Sequence, residues 1–246
     1  MKLDLHYTDP PLTALYDIIN PRGIDTDFYV QLAEDIKAKI IYDLGCGTGL
    51  LTRELGGNDR HVTGIDPSSA MLAYAKQQTN ADLVQWKKGD ASILGSPEAD
   101  LVLMTGNVAQ IFLDDSEWYA ALRSVYTALR EGGYIAFESR NPAAKAWENW
   151  NRESSYKLIE SPFGQVEYWL ELTSVNHNRV SFKSNYVFKK NGKVLEAESE
   201  LRFRSLEEII NTLKDVGFRT QYVYGNWYRE PVTEDSKVLI FIAQRS

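Results

Sequence analysis

Ile40-Ile41-Tyr42-Asp43-Leu44-Gly45-Cys46-Gly47-Thr48-Gly49 is the stretch on which the reading of this chain turns. A short apolar run leads into glycines at every second position. Leu50-Leu51-Thr52-Arg53-Glu54-Leu55 then continues with helical spacing. Strand, tight turn and helix in that order make a nucleotide cradle. Glycine adopts positive φ and lets a ligand approach with no Cβ in the way, and the helix start offers N–H groups without intrahelical acceptors. A pyrophosphate fingerprint spaces its glycines G-x-G-x-x-G. Here the third glycine comes one residue early, and the Asp43 carboxylate heads the loop, where it would repel a phosphate.

The flanking sequence repeats the strand–helix alternation. Strands are expected at 40–43, 61–65, 83–87, 101–105 and 134–138, with helices over 67–77 and from Asp115 or Ser116 to Arg130. Such alternation implies a parallel sheet with helices on both faces. Residues 1–38 read as a helical cap. Residues 39–140 and 205–246 read as a doubly wound, Rossmann-like domain with a seven-stranded, mostly parallel sheet and an antiparallel last strand. Between them, 141–204 reads as a linker helix and an inserted antiparallel three-stranded meander. Val180, Phe182, Ser184, Tyr186 and Phe188 share one face of it, and Asn191-Gly192 marks a hairpin. Ser205 and Glu208 stand in capping-box spacing at the start of a further helix.

The bulk numbers narrow the function. The 246 residues are 43% hydrophobic and 25% charged, with a net charge of -7, which argues against a general nucleic-acid binder. The single cysteine, Cys46, provides no disulfide framework. No signal peptide or membrane-length apolar run is visible, so a soluble, cytoplasmic protein is expected, monomeric or homodimeric. No metal-ligand set stands out.

A loop with early glycines and a leading carboxylate suits a ligand with a positive amine and no phosphate, such as S-adenosylmethionine. The chain resembles the Rossmann-like (class I) S-adenosylmethionine-dependent methyltransferases. Asp43–Gly49 is similar to the family's first motif, Gly64-Ile65-Asp66-Pro67-Ser68-Ser69-Ala70-Met71-Leu72 to the second, and Gly89-Asp90-Ala91 to the third. Leu129-Arg130-Glu131-Gly132-Gly133-Tyr134 resembles the helix end before strand five, with Glu131 where proline is common. The resemblance implies S-adenosyl-L-methionine as cofactor. Gly45, Cys46, Gly47 and Gly49 would close on it, Asp43 would face its ammonium, and Asp66, beside Pro67, would accept from its ribose. Asp90 and Ala91 would meet the adenine, Met71 would pack on that ring, and Asn107 would stand where cofactor and acceptor meet. Each has a plainer alternative: Asp66 as a helix cap, Asp90 as a turn residue, Met71 as core, Cys46 as space-filler.

The acceptor is expected to be a small molecule methylated at N or O, with no nucleic-acid or membrane partner. Its contacts are expected from Tyr7, Tyr16 and Arg22 of the cap, Arg140 past the fifth strand, Trp147 of the linker, and Tyr168, Trp169, Tyr186 and Arg202 of the meander. Arg140 suits an acidic group or an ion pair. His6 and Asn107 are the candidate catalytic residues. The alternatives are a nicotinamide-dependent oxidoreductase, an RNA or protein methyltransferase, and a non-catalytic S-adenosylmethionine-binding protein.

Overall fold

The computed structural model describes residues 3–246. Three helices lead the chain: α1 (Leu5–Thr8), α2 (Pro10–Ile19) and α3 (Ile24–Asp35). Asp9 caps α2 by accepting from the Leu12 N–H, and Pro10 and Pro11 occupy the first turn, where a missing N–H costs nothing.

Seven strands form the main sheet: β1 (Ile40–Leu44), β2 (His61–Asp66), β3 (Val84–Lys88), β4 (Ala99–Met104), β5 (Leu129–Arg140), β10 (Phe218–Tyr224) and β11 (Val238–Arg245). Their order is β10-β11-β5-β4-β1-β2-β3. β11 runs antiparallel between β10 and β5, and the pairings from β5 through β3 are parallel. The helices α4 (Leu50–Leu55), α5 (Ser69–Ala75), α6 (Asp115–Ala128) and α8 (Leu206–Val216) connect them.

Both faces of the sheet are buried, as parallel sheets require. Strand alternation assigns the residues: Leu101 and Leu103 of β4 face Phe28, Tyr29, Leu32, Leu51 and Leu55 of α3 and α4. Val102 and Met104 face Trp118, Leu122, Ile209 and Leu213 of α6 and α8. The Ser205–Glu208 capping box that starts α8 is present in both directions.

The inserted sheet holds one strand more than its sequence pattern suggested. Its order is β6 (Lys157–Ser161), β7 (Gly164–Asn176), β8 (Arg179–Phe188) and β9 (Val194–Arg202), all antiparallel. β6 turns only Ile159 inward, while Leu158 and Glu160 are exposed, so its alternation is weak. The expected linker helix is instead two 3₁₀ turns, at Pro142–Ala144 and Ala146–Asn149, and the single-turn α7 (Arg152–Ser155). The inner face of this sheet, with Val166, Tyr168, Tyr186, Phe188 and Ala197, packs on Leu12 and Leu15 of α2. Cap and insert thus share one core, set beside the carboxyl ends of β1, β2 and β4. No helix among the described residues is long and apolar enough to cross a membrane.

Asp114 stands at the N-cap position of α6, with Asp115 in its first turn. Asp114 makes no side-chain cap bond. Its carboxylate pairs with Arg179 at 2.7 Å, and Asp115 takes Arg202 at 2.9 Å and Arg204 at 3.4 Å. These pairs fasten the insert to the main domain.

Candidate active site

The glycine loop closes on the end of β2. Gly45, Gly47 and Gly49 all have positive φ. Gly49 has a second reason to be glycine: a Cβ there would stand 2.3 Å from the Trp86 ring. Over Gly47 the space is open, with nothing within 4 Å of where a Cβ would stand. The Gly47 N–H donates to Asp66 Oδ2 at 2.8 Å, and Asp66 Oδ1 accepts from the Ser68 N–H at 2.7 Å. Ser68, not Asp66, is the cap of α5, accepting from the Met71 N–H. The Asp66 carboxylate is thereby aimed and keeps a free lone pair on each oxygen. Burial raises its pKa.

Asp43 is buried at the head of the loop. Its Oδ2 accepts from the Thr52 hydroxyl at 2.5 Å, and its Oδ1 is buried without a partner. Burial first, with the Asp66 and Glu138 charges adding to it, pushes its pKa up to about 7. An orphaned buried carboxylate oxygen beside an open glycine loop fits a cationic ligand group. Asp90 is exposed, accepts from the Ser92 N–H at 2.9 Å and caps a 3₁₀ turn at Ala91–Ile93, with Ala91 buried. Met71 is fully buried, Pro67 half-buried, and the Cys46 thiol is pushed well up by burial.

Past β4, Asn107 sits in the left-handed region with φ 64°. Its N–H donates to Glu138 Oε1, and the Tyr29 hydroxyl donates to Glu138 Oε2. Glu138 is buried on β5 and so fixes the Asn107 turn, leaving Asn107 Oδ1 buried and unpartnered. Arg140, two residues along β5, donates from Nη1 to Gln110 Oε1 at 2.9 Å and lies 5.7 Å from the Trp150 ring centroid.

The cap folds over this floor. The Ser68 hydroxyl donates to the Tyr7 carbonyl, and the Thr48 hydroxyl of the glycine loop donates to Asp17. The His6 ring is 3.9 Å from Tyr7 and 6.4 Å from Tyr16. Burial lowers the His6 pKa to about 4, and its Nδ1 has no partner. The Tyr7 and Tyr16 hydroxyls feel the charges of Arg140 and Asp66. Tyr168 and Tyr186 stand 5.2 Å apart on the inserted sheet.

The structure therefore brings Tyr7, Tyr16, His6, Arg140 and Tyr168 together next to Asp66. Trp147 lies apart: it packs edge-on against Phe203 and lines a cleft of about 440 Å³ with Trp150, Arg152 and Trp169. Arg22 and Arg202 are spent on ion pairs, Arg22 with Asp27 and Glu54, Arg202 with Asp115. Sequence reading missed Gln110, fully buried with Nε2 unpartnered, and Asn185 of β8, buried with Nδ2 unpartnered. Gln110 lies three residues beyond Asn107, the one signal that could have flagged it.

A family model described as a methyltransferase domain matches residues 41–133. This match supports a place among the class I, Rossmann-like S-adenosylmethionine-dependent methyltransferases, a family whose cofactor is S-adenosylmethionine. Among curated proteins the chain is 34% identical over 113 residues to a malonyl-[acyl-carrier protein] O-methyltransferase of Pectobacterium atrosepticum, covering 44% of this chain and 43% of the relative. The chain spans about half the length of the curated relatives it matches first. Two solved structures share the fold. A S-adenosylmethionine-dependent methyltransferase of Clostridium acetobutylicum superposes with a TM-score of 0.79 at 19% identity, covering 94% of this chain and 96% of that one. An S-adenosylmethionine-bound amino pentose methyltransferase of Micromonospora echinaspora superposes with a TM-score of 0.68 at 19% identity, covering 93% and 94%.

Proposed function

We propose that this chain transfers a methyl group from S-adenosylmethionine to N or O of a small molecule by in-line displacement. The observation that carries the reading is the orphaned Asp43 Oδ1 beside the open loop at Gly47. It is a buried acceptor for an ammonium at the place where a phosphate would be repelled. Asp66 would hold the ribose hydroxyls with its remaining lone pairs, and Asp90 would take the adenine amine. The bound cofactor supplies a methyl group already activated on a positive sulfur.

The protein's own work is then alignment and the exclusion of water. Cap and insert close over the floor made by Asn107, Gln110 and Arg140. Asn107, Gln110 and Arg140 would hold the acceptor's N or O in line with the methyl–sulfur bond, so that the methyl group would pass to it and leave a neutral thioether. The acceptor's proton departs to water or to His6. With a pKa near 4, His6 is neutral at ordinary pH and serves as a hydrogen-bond acceptor more than as a strong base. Asn107 Oδ1 offers a second acceptor for the N–H or O–H of the incoming nucleophile. The amino pentose methyltransferase among the fold neighbours supports a small-molecule acceptor.

The test is incubation with methyl-labelled S-adenosylmethionine and a panel of small amines, alcohols and phenols, with RNA and a protein mixture alongside. Label on a small amine or hydroxyl is the expected result. Label only on RNA or protein overturns the acceptor class, and no S-adenosylhomocysteine formed with any acceptor overturns the enzyme reading.

A further inference from the structure

Arg140 is half-buried and ends β5 at the floor of the site, yet no carboxylate among the described residues lies within ion-pair distance of it. The neighbouring acid, Glu138, is committed: its two oxygens accept from the Asn107 N–H and the Tyr29 hydroxyl. The one hydrogen bond from the Arg140 guanidinium goes to a neutral amide oxygen, Gln110 Oε1. A half-buried cation without a counter-ion gives up part of its hydration for nothing unless something else supplies the charge.

What surrounds it is suited to supply an anion's remaining contacts. Tyr7 and Tyr16 are both within electrostatic range of Arg140, and neither hydroxyl has a hydrogen-bond partner among the described residues. Their ring centroids are 6.2 Å apart, so the cap brings two neighbouring phenols within electrostatic range of the guanidinium. Tyr168 approaches from the inserted sheet. Three segments far apart in sequence thus bring hydroxyls to one cation; Tyr168 also shares a side-chain hydrogen bond with Ser184, while those of Tyr7 and Tyr16 have no partner among the described residues.

We propose that the methyl acceptor carries a carboxylate, held by the free nitrogens of Arg140 and the hydroxyls of Tyr7 and Tyr16. This deepens the methyltransferase reading and rests on it for the identity of the site as the acceptor site. A monoanion fits better than a phosphate dianion, because Arg140 is the one cation here among the described residues while Asp66 and Glu138 stand close by. The charge-assisted bonds fix the acceptor's acidic end. Asn107 Oδ1, in the turn three residues before Gln110, is left for the nucleophile's proton. An amine or alcohol bearing a carboxylate a few bonds away is the substrate class.

The test uses the whole chain and ¹⁹F-detected titration of 4-fluorobenzoate and 4-fluorobenzamide, each with and without S-adenosylhomocysteine, with competition by acetate and by inorganic phosphate. The expected result is binding of the benzoate, displaced by acetate and not by phosphate, and no binding of the amide. Arg140→Leu should weaken the benzoate about 10- to 100-fold, and Tyr7→Phe and Tyr16→Phe should each weaken it several-fold. S-adenosylhomocysteine affinity, measured on the same variants, should stay within about threefold and shows that they are folded. Equal binding of benzoate and amide, displacement by phosphate alone, or undiminished benzoate affinity in both Arg140→Leu and the tyrosine variants overturns the proposal. Failure of S-adenosylhomocysteine to bind overturns the methyltransferase reading instead, and the titration without it still reads the anion subsite.

Discussion

Replacing Asp43 by asparagine probes the head of the loop most sharply. The Asp43 pKa is raised from 3.8 to about 7 by burial. Each unit corresponds to about 1.4 kcal/mol, so ionising this carboxyl in the empty protein costs about 4 kcal/mol more than in water. The sign follows directly. An acid whose folded pKa is raised holds its proton better when folded, so its contribution to stability falls as pH rises from about 4 to 7. An ammonium placed at Asp43 Oδ1 reverses the preference and draws the carboxyl to its ionised form. Binding below pH 7 must then release a proton. S-adenosylhomocysteine, which carries the ammonium without the sulfonium, should bind up to about tenfold tighter per pH unit from 5.5 to 7 and level off above. The amide of Asp43→Asn keeps an acceptor for the Thr52 hydroxyl but cannot ionise. The variant should bind about 10- to 100-fold more weakly at pH 7.5, with most of the pH slope gone. Calorimetry in phosphate and in Tris at pH 6 reads proton release as a difference in heat. Asp66 is also raised by burial, so any slope that survives in the variant reports on it. Wild-type affinity that is flat from pH 5.5 to 7.5, or an Asp43→Asn variant with the wild-type profile, would refute the reasoning.

Three further outcomes are expected. Gly49→Ala should lose at least about 2 kcal/mol in chemical denaturation, because positive φ is strained for alanine and the new methyl meets the Trp86 ring; a loss under about 0.5 kcal/mol would show that Trp86 moves away freely. Asp115→Ala should cost about 1–2 kcal/mol by leaving the buried Arg204 guanidinium without its carboxylate, a value kept low by the exposure of Asp115 itself, and proteolysis should then cut first within the inserted sheet. His6→Gln, which keeps a neutral hydrogen-bond acceptor, should retain at least about a tenth of kcat with an unchanged pH profile between 6 and 9, since the imidazole titrates near 4; a rising limb that vanishes with His6 would make it a general base after all.

The centre of the main sheet was legible because β1, β2 and β4 are short apolar runs closed by a glycine or a carboxylate, and because period-two alternation in β4 separates Leu101 and Leu103 from Val102 and Met104. β6 was not legible: five residues with one inward side chain, Ile159, carry too little periodicity, and only pairing with β7 makes them a strand. The linker helix failed for a different reason. Trp147 and Trp150 have helical spacing, yet both pack on Phe203 from 3₁₀ geometry once Pro142 and Asn141 set the turn. In the site, the local motif residues could be listed from their spacing. The Glu138–Asn107 brace and the Arg140–Gln110 contact join residues about 30 apart, and no local pattern encodes such a meeting. The arginines of the insert misled for the same reason: a sequence does not show that Arg202 already has Asp115 as its partner.

The measurement that tests the account most directly is calorimetric titration of S-adenosylmethionine and of NAD into the wild-type chain and into Asp66→Ala. The account predicts saturable one-to-one binding of S-adenosylmethionine, none of NAD, and at least about a 100-fold loss of affinity in the variant, two charge-assisted contacts being removed, while its thermal unfolding remains cooperative. Binding of NAD without S-adenosylmethionine, or an Asp66→Ala variant of undiminished affinity, would contradict it.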